Sequence, residues 1–165
     1  MKVIILAGGK GTRLPHSAKD IPKALVTVRG KTILDHQLNH LAKHGLTDVR
    51  LSLGFRADQI IRHLRDTGRS NIEYVVEKEP LGTGGAIRLA ARGLKDDFLV
   101  LNADTMHDFD FTGLLKSYTA GTPHVVGVWR EDARDFGLLE ITDGKIRAFK
   151  EKPQESVGGY INAGC

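Results

Sequence analysis

A single cysteine, Cys165, excludes an internal disulfide framework and fits a reducing, cytoplasmic setting. No apolar run approaches the roughly 18 residues that a membrane-spanning helix needs. The apolar start Val3-Ile4-Ile5-Leu6-Ala7 is cut off by Gly8-Gly9-Lys10, so it reads as a buried strand and not as a secretory leader. Internal repeats, low-complexity tracts and Pro/Ser-rich linkers are all missing, and 165 residues correspond to one domain spanning 1–165. The seven histidines show no metal spacing. His36, His40 and His44 recur every four residues on one helix, which reads as a polar face and not as a zinc site. Aromatics make up only 6%, yet 41% hydrophobic residues in periodic Val/Ile/Leu segments suffice for a core and exclude disorder.

An even spread of charge is missing too. The formal net charge is +4. Residues 1–23 hold Lys2, Lys10, Arg13, Lys19 and Lys23 against Asp20 alone, while the rest of the chain balances. Diffuse basicity would suggest a nucleic-acid surface. A cluster confined to one glycine-rich segment suggests a small polyphosphate instead.

Strand and helix signals alternate along most of the chain. Residues 2–7 read as a buried strand, and 8–22 as a long loop with Gly8, Gly9, Gly11, Pro15 and Pro22. Thr32 looks like a helix cap with Asp35 three residues on, and Gly45 ends that helix. Val49, Leu51 and Leu53 alternate as a strand, and residues 57–64 return to helical spacing. A strand over 72–76, a helix over 83–94 and a short strand over 98–101 follow. The order implies an α/β domain, a Rossmann-like sandwich around a mainly parallel sheet. Ligands of such sheets bind at the carboxyl ends of the strands. Three segments fall there: 8–13, 77–85 and 102–104. Residues 125–129, 137–142 and 145–150 read as further strands, with Asp143-Gly144 as a two-residue hairpin turn.

Glycines after a buried strand let the backbone N–H groups turn towards phosphate oxygens, and Arg13 can fork two of them. Two familiar phosphate motifs fail. Walker A does not fit, because Lys10 lies between glycines, and the dinucleotide fingerprint fails at Leu14. Alone, Lys23 would be an ordinary surface lysine and Asp104 an ordinary cap. Ten residues after Arg13 and just behind Pro22, Lys23 suits a point charge for a polyphosphate. Asp104, at the end of a buried strand, suits Mg²⁺, which prefers oxygen ligands. Asp108 and Asp110 are assigned to turn and capping roles.

The stretch Leu6-Ala7-Gly8-Gly9-Lys10-Gly11-Thr12-Arg13-Leu14, followed by Pro22-Lys23, resembles the signature of the sugar-1-phosphate nucleotidylyltransferases. The resemblance continues through Glu79-Pro80-Leu81-Gly82-Thr83-Gly84-Gly85-Ala86, Asn102-Ala103-Asp104, Glu151-Lys152-Pro153 and Asn162-Ala163-Gly164. Within the family, Lys19–Lys23 and Glu77–Gly85 are most similar to the heptose-1-phosphate guanylyltransferases. The sequence departs from the broader family at Pro15-His16-Ser17-Ala18, where a Pro-x-Thr usually stands, which weakens a thymidylyltransferase assignment.

The resemblance implies a glycosyltransferase-A-like nucleotidyltransferase fold and a reaction joining a nucleoside triphosphate to a sugar 1-phosphate with loss of pyrophosphate. It implies Arg13, Lys23 and Asp104 as catalytic, with Asp104 on Mg²⁺. Leu6, Ala7, Gly8, Gly9, Gly11, Thr12, Arg13, Lys23, Glu77, Gly82 and Thr83 would meet the nucleotide. Asn102, Gly137, Glu151, Lys152 and Asn162 would meet the sugar phosphate. A carboxylate at Glu77 can accept from guanine N1–H and the exocyclic amine together, whereas uracil and thymine offer one N–H between carbonyls, so GTP is expected. The family's second metal-binding Asp has no counterpart before Cys165, so the chain is expected to be truncated and its Mg²⁺ site incomplete. Neither nucleic acid nor membrane is an expected partner, and a homo-oligomer is compatible with the sequence. A rival is a non-catalytic, nucleotide-sugar-sensing subunit, which loss of Arg13, Lys23 or Asp104 would favour; all three are present.

Overall fold

The computed structural model describes residues 1–9, 20–150 and 157–165. Contacts divide the chain into two units, Met1–Gly121 and Thr122–Cys165. The division has none of the Pro/Ser-rich composition that marks a linker in sequence.

The first unit is built on β1 (Lys2–Ala7), whose Val3, Ile4 and Ile5 are all fully buried. Successive strand residues point to opposite faces, so three consecutive buried side chains mean that both faces of the sheet are covered. A two-stranded hairpin follows, β2 (Thr27–Val28) and β3 (Lys31–Thr32), turned by Arg29 and Gly30 at positive φ. Helix α1 (Ile33–Lys43) begins as its sequence suggests. The Thr32 hydroxyl accepts the Asp35 N–H at 3.0 Å and donates to the Asp35 carboxylate at 2.7 Å. Gly45, at φ 73°, carries the chain out of the helix.

Strands β4 (Val49–Leu53), β5 (Glu73–Val76) and β6 (Phe98–Asn102) join β1 in the order β5-β4-β1-β6, every pair parallel. This is the mainly parallel sheet that the alternating pattern implies. Helix α2 (Ala57–Asp66) buries Ile60 and Leu64, α3 (Gly82–Ala90) packs on β1, β4 and β5, and α4 (Phe111–Ser117) buries Phe111. Helix α3 stops at Ala90, short of the expected 94, and Gly93 at φ 81° lies in the turn beyond it.

Asp35 also ties α1 to α2. Burial alone would push its carboxyl up, but the Thr32 hydroxyl, His63 (3.0 Å) and the Arg69 guanidinium together hold it below the usual carboxylate range. The three histidines, two on α1 and His44 at its C-cap, are used structurally. His36 donates to the Val28 carbonyl and His40 to the Phe109 carbonyl, while His44 hydrogen-bonds the Thr112 hydroxyl. They line a packed seam through these polar contacts.

The second unit is an antiparallel sheet of β7 (Gly127–Arg130), β8 (Leu138–Thr142), β9 (Lys145–Lys150) and β10 (Gly159–Asn162) in the order β7-β10-β8-β9. Asp143 and Gly144, at φ 52° and 69°, make the turn between β8 and β9. Positive φ at both residues matches the right-handed twist of the flanking strands. Strand β7 starts two residues later than the sequence pattern suggests.

Candidate functional site

At the carboxyl ends of β1 and β6, and beside α3, lies a cavity of about 520 Å³. This is the size of a small-molecule site. Its wall includes Leu6 to Gly9, then Lys23, Glu77, Gly82, Thr83, Asn102 and Asp104. All of these were sequence candidates, and all belong to the first unit. Gly11, Thr12, Arg13, Glu151 and Lys152 lie outside the described residues. Gly137 and Asn162 belong to the second unit, Gly137 just before β8 and Asn162 at the end of β10. There the Asn162 side chain accepts the Gly164 N–H at 2.8 Å, closing a local turn.

Lys23 sits on a single 3-10 turn, Lys23–Leu25, behind a fully buried Pro22. The approach is pinned to α2, because Arg56 donates to the Asp20 carboxylate at 2.9 Å and Gln59 to the Asp20 carbonyl at 3.1 Å. The Lys23 ammonium donates to Asp104 Oδ2 at 2.8 Å. Both side chains keep access to solvent, with relative exposures of 31% and 42%. A cation and a carboxylate therefore meet at the cavity wall without being sealed off.

Asp104 follows β6, and its loop is held from α1. The Gln37 amide donates to the carbonyls of Asn102 (2.7 Å) and Thr105, on either side of Asp104. Gln37 is 4% exposed and shares a helix with buried Leu34, Leu38 and Leu41. A glutamine among buried leucines was the available signal for this role. The N–H groups of a buried amide need acceptors, and here they are the carbonyls that frame Asp104.

Glu77 leaves the end of β5, its N–H donating to the Leu53 carbonyl at 2.8 Å. Its Oε1 accepts from the Ser52 hydroxyl at 3.3 Å and its Oε2 from the Leu81 N–H at 3.2 Å. Gly82 then turns into α3 at φ 68°, a conformation that glycine adopts without strain. Gly8 has a function that the phosphate reading did not supply. A Cβ at residue 8 would stand 2.7 Å from Glu77 Oε1, so the space beside this glycine belongs to the carboxylate. Gly54 repeats the device one strand over, since its Cβ would stand 2.8 Å from the Gly8 carbonyl oxygen.

Mg²⁺ usually takes one or two carboxylates and completes its octahedron with water and substrate phosphates. Asp104 supplies one such carboxylate on an open wall, which suits that mode. Among the described residues no cluster of three His, Cys, Asp or Glu side chains could enclose a metal unaided.

The opposite end of the sheet also has a hollow, about 760 Å³, beside Lys2, Asp48 and residues 93–97. Of its lining charges, Lys2 is paired with Asp48 and with nearby Glu73, which Arg50 also holds, and Asp97 accepts the Gly121 N–H at 3.2 Å. The carboxyl-end cavity is the functional candidate because glycine backbone, ion pair and oriented carboxylate converge there. Among the described residues no helix is long and apolar enough to cross a membrane.

Comparison with known proteins agrees with this geometry. The family model described as "Nucleotidyl transferase" matches residues 2–165. Mannose-1-phosphate guanyltransferase of Saccharomyces cerevisiae is 36% identical over 99% of this chain and 48% of its own length. The enzyme of the same name from Gibberella zeae is 40% identical over the same shares. The chain thus spans about half the length of the curated relatives it matches. The crystal structure of HddC from Yersinia pseudotuberculosis superposes with a TM-score of 0.87 at 35% identity, over 99% of this chain and 74% of that one. HddC complexed with GMP-PN gives a TM-score of 0.86. With the parallel sheet, the glycine-lined cavity and a family model running almost from end to end, the chain belongs to the nucleotidyl transferase family.

Proposed function

We propose that the chain carries the nucleotide site of a sugar-1-phosphate guanylyltransferase that joins GTP and a sugar 1-phosphate into a nucleotide-sugar with release of pyrophosphate. The observation that carries this is the convergence on one cavity of Gly8–Gly9, the Lys23–Asp104 pair and the doubly held Glu77. The resemblance of residues 19–23 and 77–85 favours a heptose 1-phosphate as acceptor. Mannose 1-phosphate is the second reading, favoured by the names of the guanyltransferase relatives.

The chemistry asks little of a protein nucleophile, because the attacking phosphate oxygen is already anionic. It attacks the α-phosphorus in line, the bond to the β-phosphate oxygen breaks, and pyrophosphate leaves with that electron pair. The protein's task is to hold two polyanions together and offset the charge gathering on the leaving group. Lys23 supplies a point charge at the triphosphate, with Arg13 as its proposed partner. Gly8 and Gly9 line the same cavity, and their N–H groups are proposed to cradle the phosphates. Asp104 would hold Mg²⁺, with Gln37 fixing the loop on which it sits. Bound there, Mg²⁺ supplies charge neutralisation at the phosphate oxygens. Glu77 accepts from the base edge, and Gly82 leaves room beside it. Asn102, Gly137, Glu151, Lys152 and Asn162 are proposed for the sugar phosphate. The setting proposed is cytoplasmic, in nucleotide-sugar supply for cell-surface polysaccharide.

The test is pyrophosphate release with Mg²⁺ over a panel of nucleoside triphosphates and sugar 1-phosphates, beside calorimetric nucleotide binding. GTP preferred in both supports the reading. Tight, selective binding with no release for any pair would favour the sensing subunit.

A further inference from the structure

Ser52 stands apart from everything assigned so far. It lies in the middle of the sheet, paired with Leu6 of β1 on one side and Val75 of β5 on the other, and it is fully buried. A hydroxyl in that position is costly unless it is hydrogen-bonded. Valine or alanine would suit the strand better, since the neighbouring Leu51 and Leu53 are buried and apolar. The Ser52 Oγ donates to Glu77 Oε1.

The Glu77 carboxylate is constrained on three sides. Ser52 holds Oε1, the Leu81 N–H holds Oε2, and the bare face of Gly8 lies against Oε1. Each carboxylate oxygen has two acceptor directions. Among the described residues one on each is used internally, which leaves one on each for a ligand. Two parallel acceptors match a base edge carrying two adjacent donors, provided that the carboxylate plane is fixed. The Leu81 N–H anchors one oxygen only and leaves that plane free to rotate about it.

We propose that Ser52 is a specificity-determining positioning residue: its buried hydroxyl sets the plane of the Glu77 carboxylate so that both oxygens accept from a two-donor nucleobase edge. This rests on the guanine reading above and goes beyond it, because it puts part of the base selectivity on a residue that no nucleotide touches. A base with one donor needs one oxygen and tolerates a rotated carboxylate. A base with two donors does not.

GTP and ITP separate the two cases, since hypoxanthine keeps N1–H and lacks the exocyclic amine. Binding of both to the 165-residue chain is measured by calorimetry for the parent, Ser52→Ala and Ser52→Cys, with a thermal melt of each variant. The parent is expected to bind GTP about 10-fold or more tighter than ITP, the worth of one hydrogen bond to a charged acceptor. Ser52→Ala is expected to cut that ratio to about 3-fold or less while ITP affinity stays within about 2-fold of the parent. Ser52→Cys, which keeps the volume with a weak donor, is expected in between, and it carries the test if the alanine variant does not fold. A ratio unchanged in the variants, or both affinities falling together, overturns the positioning role and leaves the guanine reading intact. A parent that binds GTP and ITP alike overturns the two-donor recognition itself, and the Ser52 assignment with it.

Discussion

At the amino ends of the parallel strands, Lys2, Asp48, Glu73 and Arg50 form a connected set of ion pairs. Arg50 donates to the Glu73 carboxylate at 2.8 Å and, through its other arm, to the carbonyls of Ala90 (2.7 Å) and Arg92 (3.2 Å). It thereby satisfies the end of α3, where helical carbonyls have no intrahelical partner. At the carboxyl ends of the same sheet, Lys23 and Asp104 bond each other while facing a cavity, and among the described residues the Glu77 oxygens each keep an acceptor direction. The residue types are the same at both ends. Charge that finishes a helix and fills its own hydrogen bonds maintains the fold, and charge left facing a cavity is available to a ligand.

The contrast can be broken by substitution. Lys23→Ala is expected to weaken triphosphate binding by about 10- to 100-fold, the worth of a charge-assisted hydrogen bond. The melting temperature should hardly move, since a half-exposed ion pair contributes about 1 kcal/mol or less. If Lys2→Ala weakened triphosphate binding as much, the two ends would not differ in kind. Glu77→Gln should lower the preference for GTP over UTP by about 10-fold, because one of its two acceptors becomes a donor.

Arg50→Ala should do the reverse. A stability loss of about 1–3 kcal/mol in denaturant titration is expected, from the orphaned carbonyls and the lost Glu73 bond, with nucleotide affinity unchanged. The smallest effect is on pH. Arg50 and Lys2 hold the Glu73 carboxyl below its usual value, and the Thr32, His63 and Arg69 contacts do so for Asp35. Their contribution is present above the unfolded carboxylate value of about 4 and is lost as pH falls through the lower folded values. Lys2, raised chiefly by its hydrogen bond to Asp48, contributes fully below its usual value of 10.5 and loses that contribution as pH rises through the folded value. Melting temperature against pH should therefore show a plateau that falls away at both extremes, and Lys2→Met should trim the alkaline shoulder and, because Lys2 also helps to hold Glu73 down, part of the acid one.

Much of the first unit was legible because its signals are local. Consecutive Val3, Ile4 and Ile5 announced a doubly covered strand, and Thr32 with Asp35 announced a helix start. Asp110 does cap α4, accepting the Thr112 N–H at 2.9 Å, yet that seven-residue helix passed unseen because Gly113 interrupts so short a pattern. Of the candidate site, Lys23 and Asp104 could be placed from their loops after buried strands, and Glu77 and Gly82 from the family resemblance. The supports could not be read in that way. Gln37 reaches Asn102 across 65 positions and Ser52 reaches Glu77 across 25, and nothing in the local sequence names such partners. Gly8 was legible as a glycine that lets something approach, but what approaches is a side chain from another strand.

Gly54, Gly8 and Glu77 nest like stacked cups, each occupying the hollow left by the one before. A methyl group at position 54 would strike the main chain of residue 8, which cannot retreat without dragging β1. A methyl group at position 8 would strike only a carboxylate tip, which a shorter acid at 77 would withdraw. Tolerance should therefore be directional. In a library randomised at these three positions, alanine at 8 should survive chiefly in the company of aspartate at 77, while position 54 should stay glycine whatever its neighbours become.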